Sequence, residues 1–384
     1  MCDDEKDNKL SLIGLSLAEL QEVCRDEGLP SYAAKQMMEW LYARRVASID
    51  EMTNLSKAAR ERLSARFVTG INPPVEAVSS SDGTVKYLFE VNKRPTPNPS
   101  REGRGEIVSQ LPSDSEVLSL TGERRGGLFV EAVYIPDGER ATLCISSQVG
   151  CKMHCAFCMT GRQGWHGNLS AGDILNQVLA VPHSESLTNV VLMGMGEPMD
   201  NLDAVLKALS LMTSTPGMGW SPRRITVSTV GIKNTLERFI RETECHLAIS
   251  LHASSPEVRS SLMPAERLWP MTEMLDTLRR YDWSGQRRLS FEYILFRGVN
   301  DSPADARRLV RLLEGLQCRI NLIRFHRIPD TDLEGTDMEG MIRFRDYLTQ
   351  HGVFTTIRAS RGEDVMAACG MLSTARNGKK LNTL

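Results

Sequence analysis

The sequence predicts an α/β fold: a partial (β/α)6 barrel with an N-terminal helical accessory domain and a short β extension between them. Three observations lead there. From about residue 142 onward, apolar strand-length runs alternate with helix-length segments, the pattern of a parallel sheet covered by helices on its outer face. Just before that, TVKYLFEV and GLFVEAVYI read as short strands able to pair antiparallel. Residues 10 to 70 instead place apolar side chains at three- and four-residue spacings, the helical period.

In chain order, LSLAELQEVCRDEG, SYAAKQMMEWLYARR and KAARERLSARF are the expected helices of a small domain over residues 1–72. Residues 73–140 carry the two β-type runs, interrupted over about 92–126 by a stretch rich in Pro, Ser, Gly and charge. That stretch cannot bury a core and reads as a disordered insertion. The barrel is expected over 141–360. Its strands are TLCISSQ, NVVLMGM, RITVSTV, HLAISLH, LSFEYILF and RINLIRF, each followed by helical sequence. A short strand, FTTIRAS, precedes a carboxyl-terminal segment, 361–384.

Composition narrows the function classes. The 384 residues are 41% hydrophobic and 24% charged, which excludes disorder of the whole chain. Lys plus Arg total 46 against 48 Asp plus Glu, a net charge of -2, so any polyanion site must be local. Arg223, Arg224, Arg287, Arg288, Arg376, Lys379 and Lys380 are the basic groups available for one. No apolar run approaches the roughly 20 residues that cross a bilayer, and the start MCDDEKDNKLS is acidic where a secretory signal is basic, so a cytoplasmic protein without membrane contact is expected. Nine cysteines in that compartment are not a disulfide framework. Some should bind metal or react.

Cys151-Lys152-Met153-His154-Cys155-Ala156-Phe157-Cys158 follows the first barrel strand. Three thiolates at this spacing can surround one soft metal centre and leave a coordination position open. A closed zinc site would need a fourth ligand, for which only His154 lies in the loop, and a thioredoxin-type pair leaves Cys151 unexplained. After the second strand comes Gly194-Met195-Gly196-Glu197-Pro198, a turn whose glycines admit close backbone approach and whose carboxylate can pair with an ammonium. Ser228 and the run Ser250-Leu251-His252 close the next two strands and should face the barrel mouth. Met193 and Met195 read as packing residues, and Cys2, Cys24, Cys245 and Cys318 as bystanders. Cys369, in RGEDVMAACG, is a small accessible thiol by its setting.

The cysteine loop resembles that of the radical S-adenosylmethionine (SAM) superfamily, and GMGEP resembles its GGEP element. Together TLCISSQVGCKMHCAFC, GMGEPMDN, ITVSTVG, LAISLHA and RGEDVMAACG are similar to the RlmN/Cfr family of radical SAM RNA methyltransferases, nearer its RlmN branch, from about residue 15 to 373. The resemblance implies a [4Fe-4S] cluster on Cys151, Cys155 and Cys158, and SAM held by Gly196, Glu197, Ser228, Ser250, Leu251, His252 and His326. It implies methylation of carbon 2 of an adenosine in the peptidyl-transferase region of 23S ribosomal RNA, and of adenosine 37 in transfer RNA.

By the same resemblance, Cys369 carries the methyl group, Cys144 attacks it to form a transient disulfide that frees the RNA, and Glu131 accepts the proton. On composition alone Glu131 reads as a solvent-facing strand carboxylate. A reducing partner such as flavodoxin or ferredoxin is implied, and a monomer is expected. A Cfr-like enzyme acting on carbon 8 shares all the cysteines, and a zinc-containing RNA-binding protein without catalysis is the alternative of another class. One departure stands out: where the family carries an Asn-containing stretch after the sixth strand, this chain reads Arg324-Phe325-His326-Arg327.

Overall fold

A computed structural model describes residues 9–91 and 128–372. The expected insertion over 92–126, the terminal Arg376, Lys379 and Lys380, and Cys2 all lie outside the described residues.

The chain opens on β1 (Leu10–Ser11), three helices (Leu17–Asp26, Ala33–Met38, Lys57–Arg66) and β2 (Phe67–Val68). β1 and β2 pair in parallel and close the helical unit on itself. The first helix starts on a reciprocal cap between Ser16 and Glu19, which satisfies two amide donors that the helix leaves free. This unit rests on the barrel helix Ala171–Leu179: a side chain on Gly14 would strike the Gly172 amide nitrogen at 2.5 Å, so the two backbones touch. Lys207 Nζ also meets Glu19 Oε1 at 2.7 Å.

The remaining strands are β3 (Glu76–Ser79), β4 (Val85–Val91), β5 (Leu128–Asp137), β6 (Arg140–Cys144), β7 (Gln148–Gly150), β8 (Trp165–Asn168), β9 (Asn189–Leu192), β10 (Ile225–Thr229), β11 (His246–Ser250), β12 (Leu289–Leu295), β13 (Cys318–Arg324) and β14 (Thr355–Ile357). Ten of them form one open sheet in the order β14-β13-β12-β11-β10-β9-β6-β5-β4-β3. From β6 to β14 every neighbouring pair is parallel, and from β3 to β6 every pair is antiparallel. The six expected parallel strands are all present, with β14 added at the edge. The β extension is not a separate layer: β6 pairs with β5 on one side and β9 on the other, so barrel and extension share one sheet.

β12 shows why this register holds, since all seven of its residues are buried, as a strand in the middle of a covered parallel sheet requires. Sequence reading joined TLCISSQ into one strand. The strand ends at Cys144, and Gln148–Gly150 pairs instead with Trp165–Asn168 as a two-stranded clasp around the cysteine loop.

Candidate active site

Because β6 to β14 run the same way, their carboxyl ends gather at one mouth. Cys151, Cys155 and Cys158 stand there in a loop held at both ends: Cys151 N donates to Gly164 O (2.9 Å) and Ala156 N to Leu262 O (2.9 Å). The loop sits in its own apolar cluster with Met153, Phe157, Val230, Met263 and Phe296. Burial pushes the thiols of Cys151 and Cys155 well up, so their thiolates need a cation beside them. His154 is exposed, with φ +48°, while Cys151 and Cys155 are buried. Among the described residues no three His, Cys, Asp or Glu side chains converge on one metal ion. A cubane cluster does not ask for that, because each thiolate takes a different iron. Three soft donors with no fourth protein ligand therefore fit an iron–sulfur cluster with one open iron better than a closed zinc site.

Gly194 and Gly196 are demanded by protein approach. A side chain on Gly194 would strike Ile145 O at 2.7 Å, and one on Gly196, at φ +95°, would strike Gln148 Cβ at 2.5 Å. The turn is thus pressed against the segment leading into the cysteine loop. Glu197 behind it is buried. Burial raises its carboxyl to about 7, against hydrogen bonds from Thr229, Val230 N and Met199 N that pull it down. It has no cationic partner among the described residues, and it lies within electrostatic reach of Cys151 and Cys155. A buried carboxylate beside the cysteines suits the ammonium of an amino acid moiety such as that of SAM.

Ser228 is half-buried on β10 beside Ala248, and Ser250 half-buried at the end of β11. Leu251 is buried, its N–H donating to Glu292 O (3.1 Å) and its carbonyl accepting from Arg259 Nε (3.2 Å). His252, at φ +53°, is buried with Nδ1 accepting from Ile294 N (3.0 Å) and its ring edge-on to Phe157 at 4.8 Å. Burial and, secondarily, Arg259 lower its pKa to about 3, so the ring is neutral and braces the loop as an apolar plate. His252 has a depressed folded-state value. It therefore contributes stability that is complete above its ordinary 6.5 and is lost as pH falls towards 3. Between pH 6.5 and 4 that loss is about 3 kcal/mol at about 1.4 kcal/mol per unit. Urea unfolding of His252→Gln should show a pH profile flatter than the parent's over this range.

His326, half-buried just beyond the end of β13, is engaged on both ring nitrogens, with Ser360 Oγ 3.1 Å from Nε2 and Glu363 Oε2 3.5 Å from Nδ1. Burial lowers its pKa, and Glu363 works against that. It thus ties β13 to the carboxyl-terminal segment.

That segment brings Cys369 to the loop. Met159 N donates to Gly370 O (2.8 Å) and Thr160 Oγ1 to Leu372 O (2.9 Å), which holds the chain just after the exposed Cys369 against the residues that follow Cys158. Cys144, half-buried at the end of β6, interacts electrostatically with Cys369; burial first, then Cys369, pushes its thiol up to about 12. Residues far apart in sequence, 144, 151–158 and 369, thereby meet at one mouth.

Glu131 corrects the composition-based reading. It is 2% exposed, not solvent-facing, because Lys86 on the neighbouring strand places Nζ 3.0 Å from Oε1 in a buried ion pair. Lys86→Met removes the cation 3.0 Å from the buried carboxylate and should cost about 3–5 kcal/mol in urea unfolding, much of it recovered by adding Glu131→Gln.

The expected basic face also needs correcting. Arg223 and Arg224 precede β10, and Arg287 and Arg288 precede β12, so they sit at the amino ends of parallel strands, opposite the cysteines. Arg224 is spent on Thr188 O and Leu187 O over the Trp220 ring, and Arg287 is buried on Ile240 O. Burial first, then Arg288, Arg319, Arg223 and Arg287, lower His246 to about 4. Arg223, Arg224, Arg287 and Arg288 therefore do not line the mouth at which the cysteines stand.

Sequence reading missed two arginines. Arg259 is fully buried, pairs with Glu266 at 2.6 Å and donates to Val230 O (2.7 Å), Ser250 O (3.2 Å) and Leu251 O (3.2 Å), lashing the ends of β10 and β11 beneath the loop. Arg358, after β14, reaches back to Glu292 and Met193. Single arginines outside any motif carry no spacing signal.

The chain is similar to known proteins along nearly its whole length. Residues 145–310 match the family described as the Radical SAM superfamily, and residues 10–69 match the ribosomal RNA large subunit methyltransferase N-terminal domain. A protein of Bacteroides fragilis named probable dual-specificity RNA methyltransferase RlmN is 58% identical over 368 residues, 96% of this chain and 97% of its own. The dual-specificity RNA methyltransferase RlmN of Syntrophus aciditrophicus is 38% identical over 97% of this chain and 99% of its own. A crystal structure of a radical SAM methyltransferase from Sphaerobacter thermophilus superposes with a TM-score of 0.82 at 37% identity, covering 95% of this chain and 100% of that one. Likeness of this depth, running unbroken from the helical front to the segment that carries Cys369, makes the chain a member of the RlmN family of radical SAM RNA methyltransferases.

Proposed function

We propose that this enzyme methylates carbon 2 of an adenosine in the peptidyl-transferase region of 23S ribosomal RNA and of adenosine 37 in transfer RNA. The cluster belongs on Cys151, Cys155 and Cys158, and SAM belongs beside Glu197, Ser228 and Ser250 to His252. One observation carries the reading: Cys369 lies against the cysteine loop on one side and within electrostatic reach of Cys144 on the other. A methyl carrier has to stand between the radical source and the thiol that later displaces it.

Reductive cleavage of bound SAM supplies the radical chemistry that an amidine carbon, lacking a lone pair to attack a methyl, requires. The chain's own residues do the rest. Cys369, exposed at the mouth, takes up the methyl and presents it to the base. Glu131, fixed by Lys86, accepts the proton that leaves the ring carbon. Cys144, kept as a thiol by burial, is available to displace Cys369 from the product. Electrons come from a flavodoxin- or ferredoxin-type donor, and the enzyme acts as a cytoplasmic monomer. Among the described residues no helix is long and apolar enough to cross a membrane.

Nucleoside mass spectrometry tests the substrate. Ribosomal and transfer RNA from a strain lacking the gene, treated with the anaerobically reconstituted protein, SAM and reduced flavodoxin, should gain 2-methyladenosine. Gain of 8-methyladenosine instead would move the chain to the Cfr type of activity, and no methylated adenosine in either RNA would overturn the proposal.

A further inference from the structure

We infer that Arg358 is a positioning residue for the thiol pair: anchored on Glu292, its guanidinium supplies the counter-charge under which Cys144 attacks Cys369. This rests on the proposed reading that the two cysteines act as a pair.

The anchoring is built across three strands. Arg358 N donates to Leu322 O of β13 at 2.8 Å, which fixes where the side chain departs. Nη1 then reaches Glu292 Oε2 on β12 at 3.3 Å and Met193 Sδ at 3.3 Å. Glu292 cannot follow the arginine away, because Asn321 Nδ2 holds its other oxygen at 2.7 Å and Thr356 Oγ1 holds Asn321 at 2.9 Å. Met193 is the link to the thiol: its sulfur touches the guanidinium while its backbone N–H donates to Cys144. Nε and Nη2 of Arg358 have no protein acceptor among the described residues, so two donor edges remain for a neighbouring anion.

The charged and titratable groups around the guanidinium are Glu292 from β12, Cys144 from β6 and Cys369 from the carboxyl-terminal segment. Burial alone would make Arg358 easier to deprotonate, and these three outweigh it. In return Arg358 draws the Cys144 thiol down against burial and Cys369.

In the step itself, Cys144 loses its proton and its Sγ attacks Sγ of Cys369, which is then a thioether to the base-bound carbon. The S–S bond forms and the C–S bond of Cys369 breaks. The electron pair departs on carbon, which takes up a proton, so both sulfurs are oxidised and the carbon is reduced with no external oxidant. An attacking sulfur that must carry negative charge in a half-buried site gains most from a cation that cannot leave.

The test is the pH dependence of alkylation by iodoacetamide in the reconstituted holoenzyme without RNA, with Cys144 and Cys318 quantified as separate peptides. Arg358→Gln should move the Cys144 midpoint up by about one pH unit or more, while Cys318 is unaffected. Arg358→Lys should restore most of the shift. Glu292→Gln, which releases the guanidinium towards the thiols, should move the Cys144 midpoint down and serves if Arg358→Gln does not fold. With RNA, Arg358→Gln should accumulate protein–RNA adduct at neutral pH that resolves as the pH is raised. A parental Cys144 midpoint in a folded Arg358→Gln or Glu292→Gln variant overturns the inference. Normal RNA release by Cys144→Ala would instead defeat the two-thiol reading, whatever the alkylation profile.

Discussion

Replacing Cys369 by alanine should abolish methyl transfer to RNA while the protein keeps its full iron content, and replacing Cys144 by alanine should leave RNA covalently bound to the protein. The two outcomes differ because the two thiols stand in different places. Cys369 is exposed beside Cys158 but is held there by backbone bonds of Gly370 and Leu372, so its side chain can go without loosening the loop. Cys144 is half-buried at the end of β6, within electrostatic reach of Cys369. On the proposed roles, loss of the first removes the carrier, and loss of the second removes the thiol that frees a base already joined to Cys369. Denaturing gel analysis with labelled RNA, beside iron determination, reads both. Free unmodified RNA from Cys144→Ala would break the assignment of roles.

The second large effect is on the platform. Arg259→Met should destabilise the protein by about 3–5 kcal/mol, because it leaves the Glu266 carboxylate buried without its cation and three strand-end carbonyls without their donor. Helix Pro256–Leu262, which carries Arg259, also receives the cysteine loop through Leu262 O, so iron retention should fall with stability. Arg259→Lys should rescue little, since an ammonium cannot reach Glu266 and three carbonyls from one planar fork. Urea unfolding and iron content after desalting measure the two losses; parental values for both would show that the arginine is dispensable.

The parallel strands were legible because strands buried on both faces must be continuously apolar, and each is followed by a helix-length segment. The cysteine loop and the GMGEP turn were legible because their chemistry is local in sequence. The Cys144–Cys369 neighbourhood was not, since nothing local to either thiol names the other; only likeness to a family supplied it. Glu131 looked exposed because its partner sits on another strand, and a carboxylate's burial is decided by that partner. The arginines before β10 and β12 were assigned to RNA because sequence gives charge without saying at which end of the sheet it emerges. Strand direction answers that, and it sends them away from the mouth.

The central claim is that Cys369 carries the methyl group bound for RNA. Incubating the reconstituted enzyme with methyl-labelled SAM and a reductant, without RNA, and then mapping its peptides by mass spectrometry tests this directly. Label on Cys369, lost to 2-methyladenosine when RNA is added, is the predicted result. Label appearing in RNA while Cys369 stays unmodified throughout would contradict it.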